Sequence, residues 1–593
     1  MKLRFLILIL IGLILTSCNP FSNLWDSQPD TEEKSEQYLM TINLVSTNTQ
    51  NSRAGESLDY ENGTDAENAI TDIRFYFFDN DNNIIKTRTP KTGNAFNAYF
   101  DHTYTQSDNN TSTSQGNVEK EISILLNVEF EENNLPSKLI AIVNPWSGLN
   151  KVEITGLSAL QGIVEDFQTG LTTSGTFVMS NSVYLDDLTN GNIICPVNLS
   201  ENQICKTEEE ARKNKIDVYV ERVVARLDVS FSSALTQTTL EGIGKVFDTG
   251  FTFTPEDKSS VNKKIYLKFL CWAVTSTPSV SRLLKSINPG WNNLFSATEH
   301  WNNKDLHRSL WGLNPDFSSL ESTKSEQEYF KWYSYNDLLP DREKEGVMQV
   351  NIDEKTATYM QENANPYSTD GSAANPTYNT KVIFSAGLID EVGKPVTIAE
   401  YGSKYYTLDG LKKMVADMLD LYYENGNENG NIKYQKIQPD DLELKTLKET
   451  TNQSGPSAEG SYYVYFKIKD NSKKWYQLHK EVQESPSEIA NPDEYIGGLT
   501  YPVKVWNEGR TYYYFDIPHA KTLTSKDSPG YYGVVRNHIY NATIEQISTL
   551  GTPVYNPDEV IYPETPENDG TQLVVSVNTL LWRLVKKNIQ FVW

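Results

Sequence analysis

Apolar and polar residues alternate with a period of two along most of this chain. Tyr38, Met40, Ile42 and Leu44 fall on one face of a run whose other face carries Leu39, Thr41, Asn43 and Val45. That spacing predicts a strand with a buried side, because successive side chains of an extended chain point in opposite directions. Residues 73–78 predict a second strand, ending in the turn Asp-Asn-Asp-Asn-Asn at 79–83. Residues 138–143 form a continuous apolar run before Asn144 and Pro145, which predicts a buried strand. Val223, Ala225, Leu227, Val229 and Phe231 share one face of a long strand, with Arg222, Arg226 and Asp228 opposite. Residues 265–274 follow, with Ile265, Leu267, Phe269, Cys271 and Ala273 on one side. Residues 462–468 predict a further strand. Residues 503–506 and 510–517 flank Asn507, Glu508 and Gly509 and predict a hairpin with glycine in its turn.

Helical spacing is rare. Leu408, Leu411, Val415, Met418 and Leu419 make one stripe within 408–422, and 281–287 is a shorter candidate. Polar stretches at 103–117, 363–380 and 425–431 predict loops. No βαβ alternation and no sustained repeat occurs. The pattern predicts an all-β chain with few helices, built as antiparallel β-sandwiches in series with long decorated loops. The polar stretch 232–249 sets a domain break near residue 235.

Composition narrows the function classes. A chain of 593 residues has room for several cores. Its 53 basic against 78 acidic residues give a net charge of −25, which argues against a nucleic-acid partner, since phosphate is bound with Lys and Arg. A mean hydropathy of −0.51 excludes a polytopic membrane protein. The 34 Tyr, 22 Phe and 11 Trp are too many for a disordered chain. Six His and four Cys leave little material for metal or thiol chemistry.

The N-terminus sets the compartment. Lys2 and Arg4 precede the apolar run 5–15, which is shorter than the ~20 residues of a membrane-spanning helix and fits a secretory signal. The run ends in Leu15, Thr16, Ser17 and Cys18, which resembles the bacterial lipobox, where the cysteine is acylated. Residues 19–36, with Pro20 and Pro29, predict a flexible tether. Of the remaining cysteines, Cys195 and Cys205 lie ten apart in an exported chain, so a disulfide and two free thiols are both open readings. Cys271 reads as a small core residue.

Two ends of the chain invite a joint reading. Ser52, Arg53, Ala54 and Gly55 offer an exposed arginine among small residues, either a cleavage site for an Arg-specific protease or an ordinary loop arginine. Residues 551–570 carry Pro553, Pro557, Pro563 and Pro566 and predict an extended, stiff segment. Beyond it, Leu573, Val575 and Val577 alternate with polar neighbours, and Val585, Lys587, Ile589, Phe591 and Trp593 share a face. This strand either completes the chain's own sheet or is given to another molecule. If cleavage after Arg53 released strand 38–46, the groove left behind would take an alternating strand from a second copy, and repetition would make a fibre.

Catalytic signatures are missing. There is no His-Glu-x-x-His, nucleophile elbow, P-loop or Gly-x-Gly-x-x-Gly. His300 and His307 lie near carboxylates, but a solvated loop is favoured over a metal site. Residues 79–83 begin like a calcium loop, yet Ile84 stands where glycine is required. Carboxylates abound, but none form a recognisable pair. The expectation is a non-enzymatic chain without cofactors. The competing readings are a monomeric surface lipoprotein that binds glycans and a lipid-anchored glycoside hydrolase.

Seven segments, in this order, carry a family resemblance: the lipobox at Cys18; 38–44 followed by Arg53, Ala54 and Gly55; 138–145; 220–229; 272–275; 535–540; and the tail 582–593. In these the chain resembles the fimbrillins of type V pili, in the form of the shaft subunit of minor (short) fimbriae. The resemblance implies two transthyretin-like β-sandwich domains, export as a lipoprotein, cleavage after Arg53, donor-strand exchange, and a role in adhesion and biofilm formation. It divides the chain into a signal peptide (1–17), a lipidated propeptide with the removable strand Tyr38, Met40, Ile42, Leu44 (18–53), an N-terminal domain (54–235), a C-terminal domain with insertions (236–570) and a donor strand carrying Val585, Ile589, Phe591 and Trp593 (571–593). It implies as partners further copies of the chain, anchor and tip subunits, the maturation protease and host or bacterial surface receptors. It places the product in a cell-surface fimbrium and the precursor in the outer membrane, held there only by its lipid.

Overall fold

The computed structural model describes residues 36–46, 60–92, 95–114, 117–167, 176–187, 192–253, 262–287, 312–315, 326–363, 378–446, 463–478, 486–519, 531–563 and 572–583. The first sheet runs in the order Ile84–Ile85, Asp72–Phe78, Lys138–Val143, Met179–Asn181, Ile216–Arg222, Gln37–Ser46, Asn117–Phe130, Thr87–Arg88. Its two terminal strands are neighbours in sequence, so the sheet curls round on itself. One core fills the inside, drawn from Ile73, Phe75, Phe77, Leu139, Ala141, Met40, Ile42, Ile124 and Val218 among others. The intervening residues Tyr76, Phe78, Ile140 and Ile142 point the other way, into a second core shared with Leu283, Leu284, Val535 and Ile539. The apolar run 138–143 is therefore buried on both faces, as its lack of alternation implies. The polar stretch 103–117, expected as a loop, contains the strand Asn109–Ser114 paired with Asn117–Phe130.

The second half is a sandwich of two sheets. Tyr60–Asn62, Leu573–Arg583, His538–Ile547, Val224–Phe231 and Thr356–Gln361 form one. Gln237–Leu240, Gly244–Phe253, Lys263–Thr275, Lys381–Ile389, Arg510–Asp516 and Thr552–Pro553 form the other. Between them lie Leu227, Val229, Tyr540 and Ile544 against Phe269, Trp272, Phe384 and Tyr513. The all-β sandwich architecture stands. Three details differ from expectation. The sheets are mixed rather than antiparallel: Gln37–Ser46 runs parallel to Ile216–Arg222, and Val224–Phe231 parallel to His538–Ile547. The chain leaves the first sheet at Arg222 and enters the second at Val224, so the crossing comes before residue 235. Residues 237–253 are then a strand pair at a sheet edge, where one open side weakens the apolar alternation. Finally, 281–287 is not helical. Ser281–Arg282 pairs with Val164–Glu165, and Leu283 and Leu284 enter the shared core.

In Lys263–Thr275 a register shift between Phe269 and Trp272 changes the faces. Trp272 joins Ile265, Leu267 and Phe269, while Cys271 and Ala273 turn to a separate cluster with Tyr333 and Tyr514. The single face expected for 265–273 is broken by one inserted residue.

Residues 398–506 are an insertion. Lys381–Ile389 and Arg510–Asp516 pair directly, and everything between them leaves and returns through the adjacent strands Ile398–Tyr401 and Val503–Trp506. The insertion has its own core: Leu411 and Val415 of the helix Leu408–Met418, with Phe466, Ile468, Trp475, Ile496 and Val505. Thr407 caps that helix, accepting from the Gly410 N–H at 3.2 Å. The hairpin expected at 503–517 is not formed, because its two arms belong to different sheets. The turn chemistry is right nonetheless. Glu508 and Gly509 both have positive φ (51° and 68°), and a Cβ on Gly509 would stand 2.2 Å from the Leu388 carbonyl oxygen.

Separate cores predict separate responses. Trp475→Ala, which empties a site 1% exposed, should cost about 3–5 kcal/mol. Hydrogen exchange should show the loss of protection confined to the insertion. Loss extending into Gln37–Ser46 would contradict an independent core.

Candidate functional site

The strand Gln37–Ser46 lies inside the first sheet, not at its edge. One side pairs antiparallel with Asn117–Phe130, from Gln37 opposite Glu129 to Leu44 opposite Ile122. The other pairs parallel with Ile216–Arg222, from Ile42 opposite Ile216 to Ser46 opposite Val220. Where that second partner begins too late, Leu39 exchanges both backbone hydrogen bonds with Cys205, at 2.8 and 3.0 Å. Tyr38, Met40, Ile42 and Leu44 are buried together, with Tyr38 5.7 Å from the Phe130 ring. Burying four such side chains at ~1.5–3 kcal/mol each contributes about 6–12 kcal/mol gross, an upper figure. On the other face, Thr41 and Asn43 are also buried, and Asn43 Nδ2 donates to Asp217 Oδ1 at 2.8 Å.

The strand is moored at its start. The Glu36 N–H donates to Asn133 Oδ1 at 2.7 Å. Glu36 pairs with Lys206, whose ammonium sits 3.6 Å over the Tyr38 ring. Hydrogen bonds from Lys206 and then Tyr38 hold the exposed Glu36 carboxyl below its usual range. These contacts are solvent-facing and weak, so they fix register more than they add stability.

The remaining expected site residues fall in two groups. Cys18, Arg53, Ala54, Val585, Ile589, Phe591 and Trp593 lie outside the described residues. Cys195 and Cys205 stand as free thiols in this structure. Each is engaged where it stands. Cys195 faces the shared core and donates to the Lys285 carbonyl at 3.0 Å, and Cys205 donates to the Asn202 carbonyl at 3.3 Å. Of the expected donor segment 571–593, residues 572–583 are described. Leu573–Arg583 already pairs antiparallel with His538–Ile547 and, at 581–583, parallel with Tyr60–Asn62. Leu573 and Val577 fill this chain's own core.

Sequence reasoning missed a buried ionic seam between the sandwiches. Arg226 makes a two-pronged contact with Asp228 (2.8 and 3.0 Å) and reaches Glu67 at 3.3 Å. Arg222 is 1% exposed and donates to the Glu67 carbonyl at 3.1 Å and Asn537 Oδ1 at 3.3 Å. Arg536 Nε meets Glu362 at 2.8 Å, and its other nitrogens donate to the carbonyls of Leu283 and Arg282. Lys285 lies between Glu221 and Glu362. The available signal was a charge within an apolar strand, which must be paired once buried.

Next to the seam, His538 stacks edge-on to His519 at 5.3 Å, and its Nδ1 is 2.8 Å from the Arg536 carbonyl oxygen. Burial drives its pKa down to about 4. The folded protein therefore binds fewer protons than the unfolded chain between pH ~6.5 and ~4. The stability due to neutral His538 is complete above ~6.5 and falls as acid is added, by on the order of 3 kcal/mol at pH 4. Urea midpoints of the wild type and His538→Gln should converge as pH drops from 7 to 4. A gap independent of pH would remove His538 as the cause.

Residues 504–588 match the family model described as major fimbrial subunit protein type IV, fimbrillin, C-terminal. The match takes in Arg510–Asp516, His538–Ile547 and Leu573–Arg583. No curated protein matches the chain. Among solved structures, a candidate cell adhesion protein of Parabacteroides distasonis is similar at 9% identity, over 92% of this chain and 100% of that one, with a TM-score of 0.36. A fimbrillin, FimA, of Porphyromonas gingivalis is similar at 11% identity over 93% and 98%, with a TM-score of 0.34. The tip fimbrial protein Mfa3 of the same organism, truncated at its C-terminus, is similar at 11% identity over 92% and 100%, with a TM-score of 0.28.

Proposed function

We propose, from the premise that residues 504–588 are a fimbrillin C-terminal region, that this chain is a structural subunit of a cell-surface fimbria. On this reading it is exported with a lipid on Cys18, matured by cleavage after Arg53, and joined head to tail by strand exchange. The observation that carries the proposal is the internal position of Gln37–Ser46. It ends seven residues before Arg53 and, among the described residues, is the last strand before it. A cut there severs the strand from the rest of its sheet, leaving only non-covalent contacts to hold it.

Departure of the strand would open Asn117–Phe130 on one side and Ile216–Arg222 on the other, with apolar pockets between them. Unpaired backbone groups flanking apolar pockets bind an extended segment of matching alternation. Residues 584–593 supply one. They continue from Leu573–Arg583 and carry Val585, Ile589, Phe591 and Trp593 at alternating positions. Their ten positions equal the ten of Gln37–Ser46. A subunit that gives at one end and receives at the other forms a contact that does not close, hence a fibre.

The role is structural rather than catalytic, in the shaft of a minor fimbria serving adhesion and biofilm formation. Anchor and tip subunits would complete the two ends, an Arg-specific protease would start assembly, and surface receptors would be met along the fibre. The membrane is touched only through the precursor's lipid.

N-terminal sequencing of mature protein should begin at Ala54. A blocked Cys18 in the assembled fibre would sink the maturation step. Arg53→Ala should stay full length and monomeric. The matured protein should run as a ladder of oligomers in unheated SDS; deleting 584–593 should abolish it while leaving a folded monomer, and persistence of the ladder would rule out the tail as donor. Separately, Ile42→Ala should cost the uncleaved first domain about 2–5 kcal/mol in urea unfolding.

A further inference from the structure

Lys285 occupies an unusual position in the seam. Its side chain is fully buried, and so, to within 3%, are the two carboxylates that flank it. Nζ lies 3.2 Å from Glu221 Oε1 and 3.4 Å from Oε2, so the amine straddles that carboxylate. Oε1 accepts no hydrogen bond. Oε2 accepts two, from Lys285 Nζ at 3.4 Å and from the Ser182 hydroxyl at 3.1 Å. Glu362 Oε1 stands 3.7 Å from the same nitrogen, and its other oxygen is held by Arg536 Nε at 2.8 Å. The geometry is that of a nucleophile, an acyl group and a proton carrier in one dry pocket.

We propose that Lys285 and Glu221 condense into an amide that joins the first sandwich to the second. A proton first passes from the ammonium to the Glu221 carboxylate, which Nζ meets through Oε2 at 3.4 Å, and comes to rest on Oε1, giving a neutral amine and a carboxylic acid. The nitrogen lone pair adds to Glu221 Cδ, forming the C–N bond, and the electron pair moves to Oε2, where the Ser182 O–H stabilises it. The Glu362 carboxylate takes a proton from the nitrogen and delivers it to the Oε1 hydroxyl. The Cδ–Oε1 bond breaks, water leaves and the Cδ–Oε2 carbonyl re-forms. One ammonium and one carboxylate become one amide and one water, and Glu362 ends as it began. No oxidant, metal or energy source is needed.

Three physical points support the step. Burial disfavours charge, and it pushes the Glu221 carboxyl up, against the downward pull of Lys285 and Arg536. Glu362 is buried too, but Arg536, Lys285 and the Gly312 N–H outweigh that burial and hold it below its usual range, as a proton acceptor requires. Fixing the reactants in contact removes the entropic cost of bringing them together. The site is also closely built: a Cβ on Gly312 would lie 2.4 Å from Glu362 Oε2.

The bond would link strand Ile216–Arg222 to the segment that follows Ser281–Arg282. It requires neither cleavage nor polymerisation, so it is read on the uncleaved precursor and its failure leaves the strand-exchange reading untouched. The test is peptide mapping by mass spectrometry on the denatured full-length protein. The expected result is a branched peptide containing Lys285 and Glu221, lighter than its two parts by about 18 Da, one water. Recovery of both peptides unlinked would show a salt bridge only and overturn the proposal. Glu362→Gln should give the unlinked pair, and a bond formed equally well in that variant would remove Glu362 from the step. The wild-type map decides the main question even if the variant does not fold.

Discussion

The ladder along both sides of Gln37–Ser46 is the constraint from which the rest follows. A strand at the edge of a sheet can leave and cost one row of hydrogen bonds. A strand inside a sheet leaves two rows open, together with every pocket beneath its buried face. Here those pockets hold Tyr38, Met40, Ile42 and Leu44. The first domain is thus complete only while this segment, or another of the same pattern, lies in place. The segment is part of the fold, and its two neighbours Asn117–Phe130 and Ile216–Arg222 come from the body of the chain and have further partners of their own.

The two sandwiches are less separate than a tandem arrangement suggests. Asp72–Phe78 and Lys138–Val143 bury one face in the first domain and the other in a core that includes Val535 and Ile539 of the second. The crossing at Val223 is itself buried in that core. Charges flank it on both sides: Glu221, Arg222, Arg226 and Asp228 all find partners within the seam. Buried pairs of this kind specify a single arrangement more than they stabilise it, since desolvation offsets much of the attraction, while losing one partner is costly. Force applied to one sandwich therefore passes to the other through a dry, interlocked joint.

Alternation made much of this legible. The faces of 38–44, 225–231 and 573–577 were readable because side-chain direction depends only on local backbone, whereas Val223, expected on the same face as Ala225, precedes the strand and turns into the interdomain core. Partners and direction were not, because a period of two is the same in parallel and antiparallel sheets. Turn chemistry at Glu508 and Gly509 was readable, but the sheets its two arms join were not. The bulge at 269–272 inserts a single residue without any local mark. Arg222, Arg226 and Asp228 announced a need for partners, yet Glu67 and Asn537 lie far off in sequence on either side. Of the candidate site, the buried face of the first strand was visible in the sequence, and the seam was not. Free thiols at Cys195 and Cys205 follow from where the chain carries them, one to the interdomain core and one beside Leu39, which spacing alone does not reveal.

The insertion 398–506 enters and leaves through two adjacent strands, each hydrogen-bonded to the other, and it keeps its own core. Its surface carries Tyr501, 74% exposed, beside Tyr401. Such a graft, held besides its stem by Tyr405 against Phe251 and by the Tyr555 hydroxyl on the Leu444 carbonyl, can change in length and surface chemistry while the pairing of Lys381–Ile389 with Arg510–Asp516 stays as it is.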